Sequence, residues 1–384
     1  QTTSNTGQPG KDATIRVRGI GSMAADNKPL YVVDGVPYDG EISAISTSDI
    51  ESMTVLKDAA SNALYGARGA NGVILITTRK GKSGEARVNF DAKWGVNKRG
   101  VPSYETITDP GKFYELSYES IYNGDLKKYL ANGDLAAANA YANQAMLSSK
   151  YLGYQVYTIP EGEQLIGMDG KLNPNAKLGY SDGTYYYTPD NWSDELFETN
   201  PRQEYNLNVS GASDKMNYYM SAGYLNDKGI VPESGFKRYT ARLKADYQVK
   251  PWLKLSGNMS YTHYDSREKD LEGDTSNGNA FYAANIMGAI YPMYIRDANG
   301  NIMKDNRGFT RYDYGSDTNF KRENVIPNGN PLASYILDKR NFAGDVFSGK
   351  WGADIDLWGG VKAKINIGVD NNNIQSRSLN NPYY

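Results

Sequence analysis

The 384-residue chain contains no cysteine and one histidine, His263. Without cysteine there is no disulfide, no thiolate zinc site and no cysteine nucleophile. A single histidine also excludes a histidine-rich metal site. The formal net charge is −2, so charge gives no case for nucleic-acid binding. No run of about 18 apolar residues is present, and mean hydropathy is −0.63, which excludes a transmembrane helix. Barrel strands escape that exclusion, because they turn only alternate residues toward lipid. What the chain has in quantity is tyrosine, 32 residues, and glycine, 40 residues. The glycine share exceeds the usual figure of about 7%. Both suit an outer-membrane barrel, although a Tyr-rich soluble β protein would share them.

The glycine-punctuated segment 49–81, DIESMTVLKDAASNALYGARGANGVILITTRKG, precedes the alternating run RVNFDAKWGV at 87–96. Short strands are expected at 13–21 and 29–37, with Asp34-Gly35 as a turn. A strand is expected over 49–57. A short helix over 58–66 would be capped by Asp58 and ended by Gly66. The unbroken apolar run 72–78 predicts a strand covered on both faces. Gly66, Gly69 and Gly72 follow the helix instead of opening one, and their spacing is GxxGxxG, not GxGxxG. Ile76 stands where a P-loop ending in Gly81-Lys82-Ser83 needs glycine. These glycines therefore read as turn residues rather than a phosphate cradle.

Further along, period-2 alternation separates two chemistries. In 238–249, Tyr239, Ala241, Leu243, Ala245, Tyr247 and Val249 oppose Thr240, Arg242, Lys244, Asp246 and Gln248. The same split recurs in 204–211, 216–225, 253–262, 347–357 and 361–370, giving about seven strands in all. A soluble antiparallel sandwich also alternates, so connection lengths decide. Those at 211–215, 250–252 and 358–360 are short, and those at 98–203, 226–236 and 266–343 are longer. Short periplasmic turns alternating with long outer loops mark a membrane barrel. Trp94, Tyr239, Trp252, Tyr261, Trp351 and Trp358 at strand ends suit interfacial girdles.

The strings IRVRG, PLYVVDGVP, DIESMTVLKDA and LYGARGANGVILITT, in that order within 13–81, resemble the plug domain of TonB-dependent outer-membrane transporters of the SusC/RagA type. The resemblance implies a mainly β protein. Its α/β plug would occupy 1–84, and the first part of a transmembrane antiparallel β-barrel would occupy 85–384. Plugged transporters have about 22 strands, so the chain reads as an internal piece of a longer one. It further implies import of a glycan or peptide across the outer membrane of a Gram-negative bacterium. A SusD-like surface lipoprotein and TonB, engaged through a box before Gln1, would be the partners, with outer-membrane lipid around the wall. A siderophore or other metal-chelate receptor is the alternative, and a structural or adhesin barrel is the rival of another class.

Neither cofactor nor catalytic or metal-binding residue is expected. His263, in phase with Leu255, Met259 and Tyr261, reads as a rim residue on the lipid face. The run 297–305, DANGNIMKD, lacks the EF-hand order and reads as an Asx-Gly turn. Ligand contacts are expected at Met23, Asp26, Asn27, Tyr38 and Asp39 of the plug. In the first long loop, Tyr186 and Trp192 of the cluster GTYYYTPDNW are the candidates. Arg242, Lys244, Asp246 and Lys254 are expected to hold the plug against the wall. Helices are expected at 110–123 and 134–152.

Overall fold

A computed structural model describes residues 2–3, 7–11, 14–15, 28–38, 40, 42–56, 65–81, 84–100, 105–130, 133–269, 279–322 and 324–383. The chain divides into two compact units. One comprises Gln1–Lys98, Thr199–Lys269 and Lys339–Ser378; the other comprises Arg99–Glu198, Asp270–Asp338 and Leu379–Tyr384.

In the first unit a short antiparallel pair, Thr2–Thr3 with Thr14–Ile15, precedes a small mixed sheet of four strands. β1 (Leu30–Val33) reverses into β2 (Val36–Tyr38) through Asp34 and Gly35, both at positive φ, 48° and 81°. An Asp-Gly pair tolerates the two left-handed conformations that a two-residue hairpin loop demands. β3 (Ile50–Leu56) pairs antiparallel with β4 (Val73–Thr78), which lies parallel to β1, so the order is β2-β1-β4-β3. Val73 packs with Leu30 and Val32, while Ile74 and Ile76 pack with Val33, Tyr38 and Ile45. Having core on both sides explains why 72–78 carries no alternating polar residues. The expected helix over 58–66 lies almost wholly outside the described residues; Gly66, at φ 60°, opens a 3-10 turn, Gly66–Gly69.

Seven long strands form the rest of this unit. They are β5 (Gly84–Asn97), β6 (Asn200–Ala212), β7 (Met216–Lys228), β8 (Gly235–Lys250), β9 (Leu253–Arg267), β10 (Lys339–Asp356) and β11 (Lys362–Leu379). Each neighbours the next in an antiparallel meander. They run 13 to 18 residues, longer than the 9 to 11 that a tilted crossing requires. Backbone pairing continues for as long as a partner strand does, so the ladders extend beyond the apolar band. That extension shortens the connection expected at 226–236. β7 and β8 zip up to a six-residue loop, 229–234, closed by a bond from the Gly229 N–H to the Ser234 carbonyl (3.1 Å).

Register places Leu207 opposite Ala222, Met220 opposite Leu243 and Leu243 opposite Met259 on one continuous face. Near the end carrying the longer connections, an aromatic row crosses five adjacent strands on that face. The Trp94 indole donates to the Tyr205 hydroxyl (3.0 Å). Ring centroids then step from Tyr205 to Tyr224 (6.2 Å), Tyr239 (5.1 Å) and His263 (6.3 Å). His263 Nδ1 lies 2.9 Å from the Asp345 carboxylate, which also accepts the Tyr261 hydroxyl (2.5 Å).

The second unit has its own aromatic core. α1 (Pro110–Leu130) packs on α2 (Leu135–Leu147), whose start is capped by Asp134 accepting the Ala137 N–H (2.9 Å). Tyr114, Tyr118, Met146, Tyr154, Ile166 and Tyr291 are buried together. Buried Asn139 and Asn143 satisfy the Ile166 backbone, so the amides act as internal ties. Asp297 and Asp305 each close an Asx-Gly hairpin by accepting backbone N–H groups two and four residues on.

Candidate functional site: the plug–wall contact

The polar face of the wall meets the four-stranded plug sheet. Alternation puts Arg238, Arg242 and Lys244 of β8 on one side, and register brings Tyr219, Lys244, Asn258 and Lys350 into one cross-strand row over β7–β10. Two plug carboxylates face them. Asp34 occupies the β1–β2 turn, and Asp49 ends the 3-10 turn Thr47–Asp49 that leads into β3.

Asp49 is almost fully buried. Arg242 Nε lies 3.3 Å from one of its oxygens, and the Tyr219 hydroxyl donates to the other (2.9 Å). A buried carboxylate requires a matching charge and satisfied lone pairs, and Arg242 and Tyr219 supply both. Arg242 also donates to the Asn258 amide oxygen (3.0 Å), and the Asn258 amide nitrogen donates to Asp34 (2.6 Å). Lys244 Nζ stands 3.4 Å from Asp34 and bonds the Thr78 hydroxyl (3.0 Å) and carbonyl (3.3 Å). Asp34 accepts both the backbone N–H (2.9 Å) and the hydroxyl of Thr78, tying the β1 turn to the end of β4. The two acids thus share one network through Asn258.

Other wall groups reach plug carbonyls. Lys350 donates to Val33, Arg238 to Ser43 and Ile45, Thr262 to Ala44 (2.9 Å) and Asn217 to Gly81 (2.9 Å). Gly81 lies so close to the wall backbone that a Cβ would stand 2.2 Å from the Gly211 carbonyl. Among the described residues, the buried apolar cluster shared by plug and wall is small: Ala44 packs with Leu225, Phe236, Tyr264 and Val346. A cavity of about 20 Å³ remains between Val33, Tyr38 and Ile45 on one side and Arg242, Asn258 and Lys350 on the other, room for about one water.

Of the four wall residues expected to hold the plug, Arg242 and Lys244 touch it. Asp246 and Lys254 instead pair with each other at 3.6 Å, near the tight turn of the β8–β9 hairpin. Arg238, Tyr219, Asn258, Thr262 and Lys350 make plug contacts that the sequence reading did not single out. Their only sequence signal was a place on the polar face. Asp34 and Asp49 read there as a turn and an acidic start; nothing local marked them as anchors.

The ligand candidates fare differently. Met23, Asp26, Asn27 and Asp39 lie outside the described residues. Tyr38 is a buried member of the plug core, not an open surface contact. Trp192 is buried too. Its indole donates to the Tyr291 carbonyl (2.9 Å), and the buried Arg322 guanidinium lies 5.5 Å from its ring centroid. Its size and amphipathic ring make it a core filler with one satisfied polar end. Tyr186 is half-buried, with its ring against the backbone of Gly179 and Gly300.

The family described as the TonB-dependent Receptor Plug Domain matches residues 1–73. The chain is 28% identical over 407 residues to the TonB-dependent receptor SusC of Bacteroides thetaiotaomicron, covering 99% of this chain and 34% of SusC. It is 27% identical over 364 residues to a TonB-dependent receptor of Formosa agariphila, covering 91% of this chain and 29% of that protein. It therefore spans about a third of the length of the curated relatives it matches. Among solved structures it is similar to the RagAB peptide importer. In the closed-closed state the TM-score is 0.71 at 24% identity, over 100% of this chain and 39% of that one. In the open-open state the TM-score is 0.67 at 25% identity, over the same shares. The resemblance to SusC/RagA-type TonB-dependent transporters is borne out, as is the fold class of a plug followed by part of a β-barrel wall.

Proposed function

We propose that this chain is the plug and first wall segment of a TonB-dependent importer that carries a glycan or peptide across the outer membrane of a Gram-negative bacterium. A SusD-like surface lipoprotein would act with it. The observation that carries this reading is the plug–wall contact, with Asp34 and Asp49 held by Lys244, Arg242, Tyr219 and Asn258. A contact built from ion pairs and hydrogen bonds separates into water at modest net cost, because each partner is rehydrated. A continuous apolar core would not part so readily. The contact therefore suits a plug that seals at rest and yields under force.

Ligand captured on the outer side would bias the plug toward a state that presents its N-terminal coupling segment to TonB. Pulling would then break the Asp34 and Asp49 network and open a path along the polar wall. The aromatic row Trp94–Tyr205–Tyr224–Tyr239–His263 would lie at the outer membrane interface, where amphipathic rings are favoured. SusC and RagAB support pairing with a surface lipoprotein, and the RagAB importer of peptides keeps a peptide cargo in view.

In the full-length transporter, deletion of the TonB-contacting segment is expected to abolish uptake while leaving surface binding of cargo intact. Uptake at the normal rate after that deletion would sink the mechanism.

A further inference from the structure

Among the described residues, most bonds between the wall and the four-stranded plug sheet run one way. Arg238, Arg242, Lys244, Lys350, Tyr219, Asn258, Thr262 and Asn217 of the wall donate to acceptors on the plug. Those acceptors are the Asp34 and Asp49 carboxylates, the Thr78 hydroxyl and the carbonyls of Val33, Ser43, Ala44, Ile45, Thr78 and Gly81. The wall groups that accept from the plug are Asn206, from Ser46 (3.4 Å) and Ser48 (3.1 Å), the Lys269 carbonyl, from Gln8 (2.7 Å), and the Glu268 carboxylate, from Lys11 (2.8 Å). Around Asp34 and Asp49 the seated plug thus presents acceptors to a cationic, donor-rich sector of the wall.

We propose that the wall sector behind the plug favours cargo bearing carboxylates. This rests on the import reading above and names the cargo chemistry it implies. When the plug moves, Asp34 and Asp49 leave with it, and Arg238, Arg242, Lys244 and Lys350 remain on β8 and β10. The carboxylates that stay on this face have wall cations of their own: Asp370 interacts with Lys350, Glu204 and Asp227 lie 2.9 and 3.3 Å from Arg202, Asp246 lies 3.6 Å from Lys254, Asp354 lies 3.8 Å from Lys364 and Asp356 lies 3.3 Å from Lys362. Positive charge therefore exceeds negative charge along the uncovered sector. A lumen of one sign concentrates counter-charged solutes and speeds their entry. Cargo carboxylates would replace the plug carboxylates on the same donors, so neither the opened wall nor the cargo needs to keep its charges unpaired. Acidic peptides and uronate-bearing oligosaccharides share this chemistry.

The test measures TonB-dependent uptake in cells expressing the full-length transporter with its surface partner. Two matched series are offered: peptides of equal length carrying Glu, Gln or Lys, and oligosaccharides with and without uronate. The expected result is preferential uptake of the acidic member in one series, and the series that responds identifies the source. Lys350→Gln is then expected to lower the acidic-to-neutral uptake ratio about three- to tenfold, and Lys350→Arg to restore it. Because the readout is a ratio, a variant that reaches the surface in smaller amounts leaves it unchanged. Raising the salt concentration is expected to reduce the wild-type ratio. Equal uptake of acidic and neutral cargo, or an equal fall of both in Lys350→Gln, would overturn the cargo proposal while leaving import standing. Absence of energised uptake in both series would overturn the import reading itself, and this proposal with it.

Discussion

Asp49 shows how much one buried carboxylate depends on its surroundings. Arg242 and Asp49 are both nearly inaccessible, so Arg242→Ala leaves an uncompensated charge rather than merely removing a bond. That change is expected to loosen the plug by about 3–5 kcal/mol. Tyr219→Phe removes one hydroxyl donor and should loosen it by about 1 kcal/mol. Protease sensitivity and hydrogen exchange of 30–56 and 73–78 in the full-length protein measure both, and equal effects would count against the ion pair as the anchor. In the second unit, burial pushes the Asp313 carboxyl above its ordinary value although Arg322 pulls it back. Asp313 accepts the Tyr154 hydroxyl at 3.0 and 2.8 Å from its two oxygens. With a raised folded-state value, the folded unit holds a proton that the unfolded chain has already released. The stability of this unit should therefore fall as pH rises from the ordinary carboxylate value through the raised one. Asp313→Asn should flatten that dependence, measured by hydrogen exchange across the second unit. The polar-face identity of Arg242 and Lys244 was legible in the sequence because period 2 makes each face uniform. The burial of Trp192 was not, because a loop aromatic looks the same whether it faces cargo or its own core.

Among the elements, the wall strands were the most legible. Alternation located all seven, although β10 begins eight residues before the expected run 347–357 and β11 ends nine residues after 361–370; turn residues marked the three tight connections at 213–215, 251–252 and 357–361. Their lengths and the narrowness of 229–234 were not legible, since pairing beyond the apolar band leaves little hydropathic trace. The apolar face carries its own prediction. Leu243 sits midway between Tyr239 and Tyr247 on β8, opposite Met220 and Met259, and is 41% exposed. If that face meets lipid, Leu243→Arg should destabilise the full-length barrel by about 2–4 kcal/mol, read by denaturant titration in lipid vesicles. A change below about 1 kcal/mol would place Leu243 away from the bilayer middle.

At the scale of the whole molecule, the sheet of seven strands ends at β5 and β11, neither of which has a second strand partner among the described residues. An open edge leaves backbone groups unpaired, which hydrocarbon does not tolerate. The 384-residue polypeptide refolded alone is therefore expected to give no closed, heat-resistant barrel on semi-native electrophoresis, whereas the full-length transporter gives one. A heat-resistant species from the isolated chain would refute the need for further strands. The class of the molecule is already set locally along the chain. Plug strings, alternating strands and short turns are local properties, written in neighbouring residues by strand period and turn chemistry. Which polar residues meet is settled by folding in three dimensions. Asp34 and Asp49 reach Lys244 and Arg242 across about 200 residues of chain, and register and packing, rather than any local pattern, choose those partners.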